Sequence, residues 1–114
     1  MLGRKEQYMP KFLIEANYGV EGARGLLKDG GSKRREAAKT AIKSVGGKME
    51  SFYFAFGGTD AFVILDAPDN MSAAAASAAI NASGSVQSQT VVLLTPEEMD
   101  EAVKKNVRYR APGQ

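Results

Sequence analysis

The stretch MESFYFAFGGTDAFVILD, residues 49–66, holds two runs of strand-forming side chains around a glycine-rich centre. Residues 49–56 are rich in aromatic side chains, and residues 61–66 are rich in Val, Ile, Leu and Phe. Between them, residues 57–60 (GGTD) have the composition of a hairpin turn, in which we expect Gly58 to adopt a positive φ angle. The stretch therefore predicts two antiparallel strands that follow one another in the chain.

Both faces of these two strands carry apolar side chains, which alternate along each strand: Phe52, Phe54 and Phe56 against Met49, Tyr53 and Ala55, then Phe62 and Ile64 against Ala61, Val63 and Leu65. Helices can cover only one face of such an antiparallel sheet, so the second face needs another cover. A second copy of the same sheet is the simplest cover. We therefore predict a homodimer that packs sheet to sheet.

The rest of the chain supplies the other elements of the predicted fold. Alternating polar and apolar residues predict strands over 11–18 and 86–94. Apolar residues at helical spacing predict a short helical piece over 20–27, a longer helix capped by Ser32, and an alanine-rich helix over 71–83.

Residues 95–98 (TPEE) have the order of a capping box with a proline in the first turn, which predicts a terminal helix. The pairs Asp100–Lys104 and Glu101–Lys105 have the i, i+4 spacing that supports such a helix. The predicted order is therefore β-α-β-β-α-β plus a C-terminal helix. This order is typical of an α+β, ferredoxin-like fold with one antiparallel four-stranded sheet.

Composition limits the chemistry of the chain. It has 114 residues, enough for one hydrophobic core, and contains no cysteine and no histidine. The usual ligands of zinc, haem and iron–sulfur clusters and the usual nucleophile–base pairs are therefore missing, which disfavours most enzyme classes. We expect neither a metal nor a cofactor.

We assign residues 9–107 to one domain, 108–114 to a tail, and 1–8 to an extension that is disordered or foreign to the natural protein.

Charge is unevenly distributed along the chain. Residues 1–48 hold eleven Lys and Arg against five Asp and Glu, residues 49–103 hold none against eight, and residues 104–114 hold four against none. The acidic middle repels phosphate, and aromatic residues are not interleaved with the cations, so nucleic-acid binding through residues 24–48 is a weaker alternative. No apolar stretch is long enough for a membrane span, and the N-terminus lacks a signal-peptide pattern, so we expect a cytoplasmic protein without a membrane partner.

Polar side chains on or beside the predicted strands are candidate ligand-binding residues: Glu15, Asn17, Tyr53, Asp66 and Thr90. Some of them could converge on the space between paired sheets and hold a small polar or aromatic molecule. They could equally lie at sheet edges in water or pair with lysines. Gly58 and Asp60 could lie at the mouth of such a pocket, although a hairpin turn also explains both residues.

A basic glycine turn is a candidate anion-binding site: Gly30, Gly31, Ser32, Arg34 and Arg35. Free backbone N–H groups at a helix start and neighbouring cations are the groups that bind phosphate or carboxylate. The spacing is not that of a nucleotide-binding loop. A capped helix with a solvated basic turn explains the same residues.

The stretch SFYFAFGGTD, residues 51–60, resembles the GYD domain family, and several other segments share the resemblance: Met9-Pro10-Lys11, Gly30-Gly31-Ser32 with Arg34-Arg35, Gly46-Gly47-Lys48, Asp66 with Pro68-Asp69-Asn70, and residues 93–99 (LLTPEEM). This family of small bacterial and archaeal proteins, mostly of unassigned function, is similar to dimeric α/β-barrel proteins. The resemblance therefore implies a ferredoxin-like fold and a homodimer. Thr59 stands where the family typically has a tyrosine, so no role of that tyrosine carries over.

These observations predict a homodimeric small-molecule-binding domain, or a cofactor-free enzyme, that holds its ligand between or beside its sheets. The residues assign no catalytic group and no substrate. The alternative is a structural or regulatory interaction protein without a small-molecule site.

Overall fold

The structure is a computed structural model that describes residues 8–114, so the extension predicted at residues 1–8 lies outside the described residues except for Tyr8. Its elements are β1 (Lys11–Tyr18), α1 (Val20–Asp29), α2 (Gly31–Ser44), β2 (Lys48–Phe54), β3 (Ala61–Asp66), α3 (Asn70–Ala82), β4 (Val86–Leu93) and α4 (Pro96–Ala102). The short helical piece predicted after residue 20 is a helix of 10 residues, α1.

The four strands form one antiparallel sheet in the order β2-β3-β1-β4. Helices α1 and α2 connect β1 to β2, and α3 connects β3 to β4. The predicted α+β, ferredoxin-like architecture with a C-terminal helix is therefore confirmed.

The core lies between the sheet and helices α2 and α3, where the buried side chains are Phe12, Ile14, Ile42, Val63, Leu65, Ala67 and Ala73. Alternate residues of β1 and β3 point to this core, as the period of a strand requires. Burying a side chain such as Phe12 or Leu65 contributes about 1.5–3 kcal/mol each. The helices thus cover one face of the sheet, and the remaining residues of each strand form the opposite face.

Two predicted element boundaries are wrong. Ser32 is not a helix cap, because Gly30 alone separates α1 from α2, and its φ of 84° allows α2 to begin at Gly31. Strand β2 ends at Phe54, two residues early, because the Ala55 N–H donates to the Asp60 carbonyl and starts the turn. Phe56 is consequently 97% exposed.

The capping box of α4 is confirmed by two reciprocal hydrogen bonds. The Glu98 N–H donates to Thr95 Oγ1 at 3.0 Å, and the Thr95 N–H donates to Glu98 Oε1 at 2.8 Å. The predicted i, i+4 pairs are wrong because α4 ends at Ala102, and Lys104 instead pairs with Glu101 at 3.2 Å. Residues 103–114 form no helix or strand and are exposed.

From residue 8 onward, no helix combines the length and the apolar character needed to cross a bilayer.

Candidate functional site

The opposite face of the sheet carries a band of apolar side chains across all four strands. Leu13 of β1 lies between Ile64 of β3 and Val91 of β4, and Phe62 lies beside Tyr53 of β2. Leu13, Phe62, Ile64 and Val91 are partly exposed, and Tyr53 is 67% exposed. We call these five residues the open-face band.

Four of the candidate ligand-binding residues lie on this opposite face: Glu15, Asn17, Tyr53 and Asp66. Asp66 lies at one end of the strands, and the other three lie towards the other end. Asp66 pairs with Lys11 at 2.9 Å, whereas Asn17 lies at the far end of β1, roughly 20 Å from Lys11 at the usual rise of a strand. Lys11 Nζ also donates to Glu50, and its hydrogen bonds to the Glu50 and Asp66 carboxylates raise the pKa of Lys11 above its usual value. Asp66 therefore belongs to an ion cluster at the end of the sheet where β1 begins and β3 ends.

The GGTD turn is tied to the end of β1 by side-chain hydrogen bonds. The Tyr18 N–H donates to Asp60 Oδ2 at 2.9 Å, and the Asp60 N–H donates to Asn17 Oδ1 at 3.0 Å. The Thr59 hydroxyl lies 3.4 Å from Glu15 Oε1. Asp60 also lines a surface pocket of about 360 Å³ beside α1, but its carboxylate is already engaged with the backbone.

The positive φ angle predicted at Gly58 is wrong. The described glycines with positive φ are Gly30, Gly46, Gly84 and Gly113. Among residues 8–114, Gly58 also has no neighbouring atom within 4 Å of the position that a Cβ would occupy. The reason is that residues 55–60 form a wider loop than a two-residue hairpin turn, so no residue needs the left-handed conformation.

We expect Gly58→Ala to leave stability almost unchanged and Gly84→Ala to lower it by about 1 kcal/mol. Both positions are open to an added methyl group, but Gly84 has a φ of 78° and Gly58 does not have a positive φ. Urea unfolding of the two variants isolates the conformational cost. Equal losses of stability would contradict the conformation described for Gly58.

Thr90 lies away from the other candidates, on the helix-covered side of the sheet. It pairs with Ile14 of β1, whose side chain is in the core, and it lines an open pocket beside α3 with Asn81 and Val92. The Thr90 hydroxyl oxygen is buried and has no hydrogen-bond partner in the described residues. Thr90 therefore does not join Glu15, Asn17 or Tyr53.

The two arginine side chains of the basic turn do not lie together. Arg35 points to solvent, where its Nε lies 3.8 Å from Glu36 Oε2. Arg34 points inward, with its guanidinium carbon 6.0 Å from the centre of the Tyr18 ring. Ser32 is exposed, and Gly31 packs against the Phe54 ring, which a Cβ would approach to 2.9 Å. The two arginines thus face different surroundings.

A cavity of about 110 Å³ lies between the helix-covered face of the sheet and helices α2 and α3. Small side chains from both layers leave this space open: Ala16, Ala37, Ala38, Ala41, Ala61 and Ala76. An outer pocket of about 350 Å³ adjoins it and shares Tyr18, Arg34, Ile80 and Val86 with its lining. Sequence reasoning missed this cavity because it depends on the fit of two layers.

Arg34 is the charged residue in the cavity lining, and Tyr18 supplies the other polar side chain. The Arg34 Nε is buried and has no hydrogen-bond acceptor in the described residues, which costs about 1–3 kcal/mol or more for a charged donor. One signal in the sequence points to this placement. Arg34 precedes Ala38 by four residues and Ala41 by seven, so it extends the apolar stripe of α2 by one turn.

The GYD domain family matches residues 12–103, from β1 to the residue after α4. The chain belongs to the GYD domain family. No curated protein and no solved structure matches it. The family resemblance of residues 51–60 and 93–99 is thereby confirmed.

Within this GYD domain, Thr59 of the turn motif and the cavity lie on different sides of the sheet. Thr59 contacts Glu15, whose side chain is on the opposite face, whereas Arg34 and Tyr18 lie on the helix-covered side. The GYD domain thus contains two separate surfaces that could bind a partner molecule: the open-face band and the alanine-lined cavity.

Proposed function

We propose that this GYD domain binds a small molecule in the cavity between its sheet and helices α2 and α3. The single observation that carries the proposal is the cavity itself, which alanines of both layers keep open. Protein interiors are close-packed, so an unfilled space between two layers costs the side chains that line it part of their packing contacts. A ligand that fills the space recovers that cost.

The lining supports binding rather than catalysis. Tyr18 and Arg34 are its polar side chains, and no carboxylate of the described residues lines it to act as an acid or a base. The proposal places the ligand beside the sheet, on its helix-covered side. It does not use the space between two paired sheets.

We also propose that two copies form a homodimer through the opposite faces of their sheets. The open-face band supports it, because a partly exposed apolar strip across four strands is the kind of surface that a second copy covers. Light scattering at micromolar concentration should then give twice the chain mass of 12.2 kDa. The open-face band is also the observation that favours the alternative function, a structural or regulatory interaction protein without a small-molecule site.

The cavity proposal predicts that benzene binds and that Ala38→Leu abolishes the binding. Ala38 lines the cavity, and a leucine there fills the space that benzene needs. NMR spectra of protein labelled at the alanine methyl groups report the binding, because the benzene ring shifts the methyl resonances of the lining. Filling the void should also stabilise the free protein by about 1 kcal/mol.

Ala75→Leu is the matched control, because Ala75 is an exposed residue of α3 that does not line the cavity. This variant should bind benzene like the wild type. The proposal fails if benzene shifts no lining methyl group in the wild type, or if Ala38→Leu binds benzene as well as Ala75→Leu does.

A further inference from the structure

We propose that the ligand of the cavity is a small apolar monocarboxylic acid whose carboxylate binds the guanidinium of Arg34 at the mouth. This inference rests on the proposed binding function and names the class of ligand. The apolar body of the acid would occupy the alanine-lined space, and the two carboxylate oxygens would accept hydrogen bonds from the N–H edge of Arg34.

The first argument is that Arg34 carries an unsatisfied donor. Its Nε is buried without an acceptor, and no carboxylate from residue 8 onward forms an ion pair with it. Arg24, Arg35 and Lys104 each have an acidic partner although they are far more exposed. A ligand carboxylate supplies the missing acceptor and the missing counter-charge together.

The second argument is that Arg34 is held in place. The guanidinium carbon of Arg34 lies over the Tyr18 ring, 6.0 Å from its centre, at the outer limit of a cation–π contact. Tyr18 is itself packed near Phe54, with ring centres 6.4 Å apart. This contact restricts the Arg34 side chain, so less conformational entropy is lost when a carboxylate binds its N–H groups.

The third argument is the size and lining of the space. Cavities of about 150 Å³ hold benzene, so a cavity of about 110 Å³ that opens into an outer pocket accepts a compact body of roughly four to seven carbons.

Glu21 and Asp29 line the outer pocket and disfavour a second acidic group there. Helices α1 and α2 together hold seven Lys and Arg against three Asp and Glu, which attracts a single anion from a distance.

Benzoate and its neutral isostere benzamide test the inference. Alanine-methyl NMR titrations should show benzoate binding at least about tenfold more tightly than benzamide to the wild type. Arg34→Gln should remove this preference. Arg35→Gln is the matched control, because it removes the same charge from the neighbouring residue of the same helix while Arg35 is exposed beside Glu36, and it should keep the preference.

A measurement on the wild type makes the test independent of whether Arg34→Gln folds. Benzoate, and not benzamide, should shift the Nε–H resonance of Arg34. If benzoate and benzamide bind equally and Ala38→Leu abolishes both, the inference is wrong and the binding function stands. If neither compound nor benzene binds, the proposed function itself is wrong. If Arg34→Gln and Arg35→Gln lose the preference for benzoate equally, the inference is wrong, because the preference then comes from the general positive charge of the helix and not from a contact with Arg34.

Discussion

Tyr53→Glu should convert the proposed homodimer into a folded monomer. Tyr53 belongs to the open-face band and is 67% exposed in the single chain, so a glutamate there stays in water as long as the chain is monomeric. In a sheet-to-sheet dimer the same carboxylate loses its water and gains no partner. Twofold symmetry brings two such charges into the interface. At about 2 kcal/mol each, they weaken association roughly 1000-fold.

Met71→Glu is the matched control for the dimer. Met71 is 77% exposed, but it lies in the first turn of α3, on the helix-covered side of the sheet. This variant should keep the mass of the dimer in light scattering, and both variants should melt cooperatively. A wild type that is monomeric at micromolar concentration would overturn the homodimer, and so would a Tyr53→Glu variant that remains dimeric.

Gly22→Ala should destabilise the fold by about 2–4 kcal/mol. A Cβ at Gly22 would overlap the backbone oxygen of Ser85 and lie 3.2 Å from the Tyr18 ring. A backbone oxygen cannot rotate away as a side chain does, so α1 would have to move away from the segment before β4. This cost exceeds the gain of up to about 1 kcal/mol that alanine brings to a helix.

Gly25→Ala is the control that separates the steric effect of the added Cβ from the higher helix propensity of alanine. Gly25 is in the same helix, three residues later, and no atom of the described part of the chain lies within 4 Å of its added Cβ. We expect this variant to be as stable as the wild type or up to about 1 kcal/mol more stable in urea unfolding. Two variants of equal stability would mean that α1 does not approach Ser85 as closely as described.

The elements that sequence reasoning predicted correctly are those with a local signal. The alternation of β1, the alanine-rich α3 and the capping box of α4 each depend on residues within a few positions of one another. The errors arose where distant residues decide the outcome. Ser32 has the chemistry of a cap, but the direct passage from α1 to α2 places it inside the helix.

The candidate sites divide in the same way. The basic composition of the turn was evident, but no signal that we used distinguished Arg34 from Arg35. The packing of α2 on the sheet turns Arg34 inward and leaves Arg35 in water. Thr90 was grouped with Glu15 because both are polar strand residues. The pairing of β4 with β1 assigns them to different faces.

The sequence by itself determined the order of the strands and helices, membership of the GYD family and the apolar character of both faces of the β2–β3 hairpin, because periodicity and motif spacing are carried by neighbouring residues. Only the tertiary structure decided that alanines from α2, α3 and the sheet leave a cavity, and that Arg34 Nε lies at its mouth without an acceptor among residues 8–114. The physical reason is that a cavity is the space left between two packed layers. Its size depends on side chains that are distant in sequence and meet only in the folded chain.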